Sequence, residues 1–127
     1  AVEAVPHTLP ALWRAEKIQK KAAKVGFDWP DVSGALEKLR EEAGELEEAV
    51  REDTNVAEEL GDLLFAAVNV ARFVKVDPED ALSVACDKFA RRFRQVEASA
   101  AAQGKTLDEM TLAEMDRLWD EAKKQEA

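Results

Sequence analysis

Histidine occurs once, at His7, tyrosine not at all, and cysteine once, at Cys86. So little histidine excludes a histidine-rich metal site and a Ser-His-Asp triad. A lone thiol forms no internal disulfide, which suits a reducing compartment. The longest apolar run, Leu63 to Val68, is far too short to cross a bilayer. No charged-then-apolar leader opens the chain, so no export signal and a cytoplasmic location are expected. Only five glycines and four prolines punctuate the 127 residues, which leaves long stretches free to be helical.

Alanine, leucine, glutamate, lysine and arginine dominate instead. The apolar fraction of 46% is enough for one core, and the net charge of −9 makes the chain acidic throughout, with a pI near 4.7. Such a surface repels nucleic-acid backbones and anionic membranes, so neither is expected as a partner. A nucleotide is an anion too, and binding one here requires metal ions and a local basic patch.

Residues 1–8 are expected to form a loose leader, and residues 9–127 one helical domain. Thr8 and Pro10 can start a first helix with Leu12, Ala15, Ile18, Ala22 and Val25 on one face, and Gly26 stops it. Lys17, Lys20, Lys21 and Lys24 are expected to make a solvated face, with phosphate steering as the alternative. The linker Gly26-Phe27-Asp28-Trp29-Pro30 is expected to tuck its aromatics under a core edge rather than stack them on a nucleobase. A second helix, about Asp31 to Glu52, carries a three-four seam of Leu36, Leu39, Ala43, Leu46 and Val50. Asp53-Thr54-Asn55 breaks it. A third helix, about Val56 to Val74, is apolar almost all round after Leu63, as a helix buried on most sides would be. Asp77-Pro78 caps a fourth, with a stripe of Leu82, Ala85, Phe89, Phe93 and Val96. Thr111 and Glu114 form a capping box for a closing helix bearing Met115, Leu118 and Trp119. No segment reads as a strand, so the fold class is an all-α helical bundle.

Two acidic clusters stand out on this scaffold, Glu41-Glu42-Ala43-Gly44-Glu45 and Glu59-Leu60-Gly61-Asp62. In each, two carboxylates three residues apart share one helix face. Glu42 falls on the flank of the leucine seam, with Lys38 one turn before it, and Asp62 is expected to look into packed structure along the line of Ala66, Asn69 and Phe73. A short connection favours antiparallel helices, which lets the two pairs face each other. Four converging carboxylates repel and resist desolvation, and a divalent cation resolves the conflict. Oxygen ligands without Cys or His point to Mg²⁺, or Mn²⁺, over Zn²⁺. Lys88 and Arg92, four apart on the fourth helix, are placed to reach phosphate oxygens, or else to pair with nearby glutamates. Arg91 and Arg94 lie further round and are expected to be solvated. Asn69 is a lone amide in an apolar helix, either a satisfied core residue or a ligand to sugar or phosphate.

Glu41-Glu42-x-x-Glu45 followed by Glu59-x-x-Asp62 resembles the metal signature of the all-α nucleotide pyrophosphohydrolases. The flanking text narrows the resemblance to MazG, particularly the C-terminal, catalytic half of its tandem-domain members. Leu9-Pro10-Ala11-Leu12, Ala15 to Lys20, Val25 to Trp29, Glu58 to Phe65 and Lys88 to Phe93 carry it, from about Leu9 to the end. The resemblance implies hydrolysis of NTPs and dNTPs to monophosphate and pyrophosphate, in nucleotide-pool sanitising or regulation. It implies Glu42, Glu45, Glu59 and Asp62 as Mg²⁺ ligands, Lys38, Lys88, Arg92, Trp119 and Lys123 as nucleotide contacts, and a homodimer or larger assembly. Glu42 and Glu41 are the candidate catalytic residues, Glu41 as base or outer-shell group. Water would attack the α-phosphorus in line while Lys88 and Arg92 steady the departing pyrophosphate. Narrower substrates, as in dimeric dUTPases or phosphoribosyl-ATP pyrophosphohydrolases, share the acidic motif. A ferritin-like di-iron bundle is excluded because it needs Glu-x-x-His pairs. An acidic helical interaction module without activity is the non-enzymatic alternative.

Overall fold

The structure, a computed structural model, describes residues 2–126. It holds five α-helices: α1 (Ala11–Lys24), α2 (Val32–Glu52), α3 (Val56–Phe73), α4 (Pro78–Ala102) and α5 (Leu112–Glu126). Single 3₁₀ turns lie at Val2–Ala4 and Leu107–Glu109, and no strand occurs among the described residues. The chain divides between Ala81 and Leu82 into two compact units.

The first unit contains α1, α2, α3 and the first turn of α4. Pro10 stands at the start of α1, where its missing N–H is no loss. At the other end Gly26 takes a positive φ of 93°, and the amides of Gly26 and Phe27 donate to the carbonyls of Ala23 and Ala22. That paired closure needs a left-handed residue after the helix, and glycine adopts the conformation without strain. Asp31 caps α2 by accepting from the Ser33 amide at 2.9 Å. Asp53 and Asn55, both at positive φ, reverse the chain between α2 and α3, which pack closely as a helical hairpin. α1 packs on α3, and the 3₁₀ turn before it packs on α1, with Val5 buried.

Two expectations fail here. The buried face of α2 is not the leucine seam but the line Ala35, Glu42, Ala49, seven residues apart each time, while Val50 is 61% exposed. Alanines let a neighbouring helix approach closely, and the larger side chains of the seam sit beside that contact. Nor is α3 buried on most sides: Ala66 and Val68 are enclosed, but Leu60, Leu64 and Phe65 remain exposed. Within its unit α3 packs mainly on α2 and α1, too few helices to cover its whole circumference.

The second unit holds the rest of α4, and α5. Val96, Ala100, Met110 and Leu118 form its core, and Leu107, Met115 and Trp119 pack against it. The stripe expected on α4 is buried only at its C-terminal end, for Leu82, Phe89 and Phe93 are exposed. The Thr111–Glu114 capping box is present in both directions, at 3.1 Å each way.

Asp77 joins two elements of the first unit. Its Oδ1 accepts from the amides of Glu79 and Asp80 at 2.9 and 3.2 Å, capping α4, and from Trp13 Nε1 of α1 at 3.0 Å. The Trp13 hydrogen bond, followed by those backbone amides, holds the Asp77 carboxyl below the usual aspartate range. Asp77→Ala is expected to lower the melting temperature by roughly 2–5 °C, whereas Asp77→Asn, also a good cap, should retain most of the parent value. A depressed folded-state pKa means that this stabilisation is present above the unfolded value of about 3.9 and is lost as pH falls through the folded one. The gap between Asp77→Ala and parent should therefore shrink in thermal melts followed below that pH.

Candidate functional site

The αα-hairpin of the first unit brings the two acidic clusters together. Carboxylate oxygens of Glu42, Glu45 and Glu59 all lie within 4.8 Å of one another. Glu42 is buried, Glu59 half-buried and Glu45 exposed, so the trio runs from the helix interface out to solvent. One oxygen of Glu42 and one of Glu59 are sealed from water without any hydrogen-bond partner. A buried carboxylate oxygen left unpaired is costly, and two of them facing a third carboxylate are more so. Desolvation raises the Glu59 pKa, and the neighbouring charges of Glu45, Asp62, Glu42 and Glu58 push it the same way. The donor set is oxygen only, as hard divalent cations require, and the orphaned oxygens are what such an ion would satisfy. Acidic residues that can hold a metal are thus assembled in this unit.

Asp62 is exposed and does not belong to the close trio. The expectation that it faces packed structure fails: on its line of α3 burial begins one turn further on, at Ala66. Its charge still reaches the site, as its effect on Glu59 shows. Lys38 lies beside the trio, with Nζ 3.1 Å from Glu42 and 3.4 Å from Glu41. Glu42, ahead of Glu41, raises the Lys38 pKa. Glu41 itself is exposed at the rim.

On the second unit, Arg92 Nε is 2.7 Å from a Glu126 carboxylate oxygen, and its guanidinium lies 5.8 Å from the centre of the Trp119 ring. Trp119 also meets Phe89, centroid to centroid, at 5.0 Å. Arg92, Glu126, Trp119 and Phe89 are therefore already linked to one another. Lys88 and Lys123 are exposed, as are Arg91 and Arg94.

The stretch from residue 31 to residue 97, which contains both acidic clusters and Lys88 and Arg92, matches the MazG nucleotide pyrophosphohydrolase domain. The chain belongs to that family. It is 44% identical over 130 residues to the nucleoside triphosphate pyrophosphohydrolase of Escherichia coli (strain K12), covering 99% of this chain and 49% of that protein. It is 45% identical over 115 residues to the nucleoside triphosphate pyrophosphohydrolase/pyrophosphatase MazG of Thermotoga maritima, covering 91% and 45%. A protein of Bacillus subtilis (strain 168) named YabN is 53% identical over 128 residues, 98% of this chain and 26% of its own length. The chain thus spans about half the length of the first two relatives and a quarter of the third.

Asn69, singled out in the sequence, accepts through Oδ1 from Arg72 Nε at 3.1 Å and Nη2 at 2.7 Å. The partners of Gln19, Arg72 and Trp29 were not foreseen. Gln19 of α1 is buried and donates from Nε2 to the Phe65 carbonyl at 2.9 Å. Arg72 closes an ion pair with Asp28 of the linker. Trp29 lies over Gly34, where an added Cβ would stand 2.8 Å from the indole. For Gln19 the signals were its neighbour Ile18 on the apolar face and its place in the Ala15–Lys20 stretch, neither of which separates it from the surface polar residues of α1. The linker does not tuck its aromatics under a core edge, for Phe27 is 82% exposed and Trp29 43%.

The raised Glu59 pKa means that its ionisation opposes folding at neutral pH when no cation is bound. Glu59→Gln is therefore expected to raise the melting temperature of the metal-free protein at pH 7. The same substitution should remove most of the further rise that millimolar Mg²⁺ or Mn²⁺ gives the parent. A parallel set of melts with and without EDTA reads both effects. A destabilised variant, or an undiminished metal response, would count against the site.

Proposed function

We propose that this MazG domain hydrolyses nucleoside triphosphates, NTPs and dNTPs alike, to the monophosphate and pyrophosphate, using Mg²⁺ or Mn²⁺. The observation that carries the reading is the convergence of Glu42, Glu45 and Glu59 with two buried, partnerless oxygens. Membership of the MazG family, and the names of the Escherichia coli and Thermotoga relatives, supply the substrate class. A divalent cation held there offsets polyphosphate charge and makes a nearby water more acidic.

The protein's own groups have distinct tasks. Glu42 anchors the site from the middle of the α2–α3 contact, Glu45 and Glu59 complete it, and Asp62 joins as a further or outer ligand. Lys38, kept cationic by Glu42, is a phosphate contact at the edge of the site. Glu41, exposed and adjacent to Glu42, is assigned to orient the attacking water or to accept its proton. Lys88, Arg92, Trp119 and Lys123 are assigned to the nucleotide. For Arg92 this means giving up Glu126 in exchange for a phosphate, a bidentate partner of higher charge. The exposed Leu60, Leu64 and Phe65 of α3 support assembly as a homodimer or larger homo-oligomer. Its place in the cell would be nucleotide-pool sanitising or regulation in the cytoplasm.

Incubating the chain with a panel of NTPs and dNTPs, with Mg²⁺ or EDTA, tests the reaction. Monophosphate and pyrophosphate should form only with metal. Glu42→Gln should lower turnover at least about 100-fold while helicity by circular dichroism stays unchanged. Diphosphate with orthophosphate would assign cleavage to the other bond. Helicity and self-association indifferent to metal, with no turnover, would favour the interaction module instead.

A further inference from the structure

The neighbouring arginines of α4 already hold an anion. Glu126 of α5 accepts through Oε2 from Arg92 Nε at 2.7 Å, and its Oε1 lies 3.9 Å from Arg91 Nε. Among the described residues no other carboxylate pairs with either arginine. The contact with Arg92 is not an ordinary surface pair. The Arg92 side chain is only 18% exposed and that of Glu126 29%. Partial burial weakens screening by solvent and salt, so the contact counts for more than a fully solvated ion pair would.

Arg92 has a second support. Its guanidinium lies 5.8 Å from the centre of the Trp119 ring, and that ring is itself held against Phe89. Removing the carboxylate therefore leaves the arginine still packed on an aromatic face. What Glu126 takes up is a binding edge. Nε and the adjacent Nη nitrogen form the fork by which a guanidinium grips two oxygens of a carboxylate or a phosphate at once. A phosphate seeking that edge must displace Glu126. One that approaches the remaining Nη end meets its negative charge.

We infer, resting on the nucleotide reading above, that Glu126 is an internal competitor for the phosphates that Arg92 binds. When only part of a population has its binding group free, the observed affinity falls in proportion to that part. Glu126 thus weakens the hold of Arg92 on substrate and product alike. A carboxylate that returns to the arginine also shortens the stay of a phosphate product, and product release is a common limit on turnover.

The ¹⁵N-labelled full chain is titrated with inorganic tripolyphosphate in EDTA at fixed ionic strength, and the Arg92 Nε–H signal is followed. This probe carries the charges of a triphosphate without base or sugar. Glu126→Gln should bind it about three- to tenfold more tightly than the parent. Glu121, exposed on the same helix, pairs with neither arginine. Glu121→Gln removes the same charge and should tighten binding by less than about twofold. With metal present, Glu126→Gln should also lower KM for a nucleoside triphosphate by a factor similar to its gain in binding. Equal tightening in both variants would reduce the effect to net charge and overturn the inference. Unchanged or weaker binding by Glu126→Gln would do the same, by making the carboxylate a support for Arg92. An Arg92 signal that the probe moves in neither the parent nor the variants would overturn it too. Metal-dependent release of pyrophosphate from a nucleotide by that same preparation would then leave the pyrophosphohydrolase reading standing. Tighter binding by Glu126→Gln in a chain that hydrolyses no nucleotide would uphold the competition and count against the reading.

Discussion

Like charge forced together at a helix interface is the constraint on which the first unit turns. Glu42 occupies the centre of the contact between α2 and α3, a place where an alanine or leucine would be ordinary. Glu59 faces it with an oxygen that nothing satisfies. Packing elsewhere in the first unit, through the buried Ala35, Ala49, Ala66 and Val68, has to hold the helices together against that repulsion. The arrangement is tolerable because Lys38 sits against Glu42 and because a divalent ion can enter between the acids. Stability and metal affinity therefore pull in opposite directions at the same three side chains, which is the usual mark of a functional site.

Much of this was legible in the residues. Helix boundaries followed from caps and breakers: Pro10 and Gly26 around α1, Asp31 before α2, Asp77 before α4, and the Thr111–Glu114 box before α5. The carboxylate trio followed from spacing and a short connection. What periodicity misjudged was which face each helix buries. The leucine seam of α2 has the stronger pattern, yet alanines at Ala35 and Ala49 allow the closer approach, so the contact formed on the smaller residues and took Glu42 with it. Pattern analysis weighs hydrophobicity, and packing also weighs size. On α3 the apolar surface exceeds what α1 and α2 can cover, so its sequence overstated its burial.

Gln19, Asp28 and Arg72 were harder to foresee because their roles depend on partners distant in the chain. Nothing local to Gln19 says that it will meet the Phe65 carbonyl 46 residues on. The pairing of Asp28 with Arg72 likewise appears only when the linker is laid against α3. Side-chain amides carry little periodic signal, and their meaning comes from which end is already taken.

The glycine under Trp29 has an implication for how the sequence can change. Gly34 lies within α2, where replacing glycine with alanine ordinarily favours the helix by up to about 1 kcal/mol. Here a methyl group would stand 2.8 Å from the indole, and a large ring cannot step aside cheaply. The sign of the substitution thus depends on the residue five positions earlier: harmful while Trp29 is present, helpful once it has been replaced by something smaller. The two positions form an epistatic pair in which order matters, and a lineage that shrank Trp29 first could then fill position 34 and would find the return path blocked.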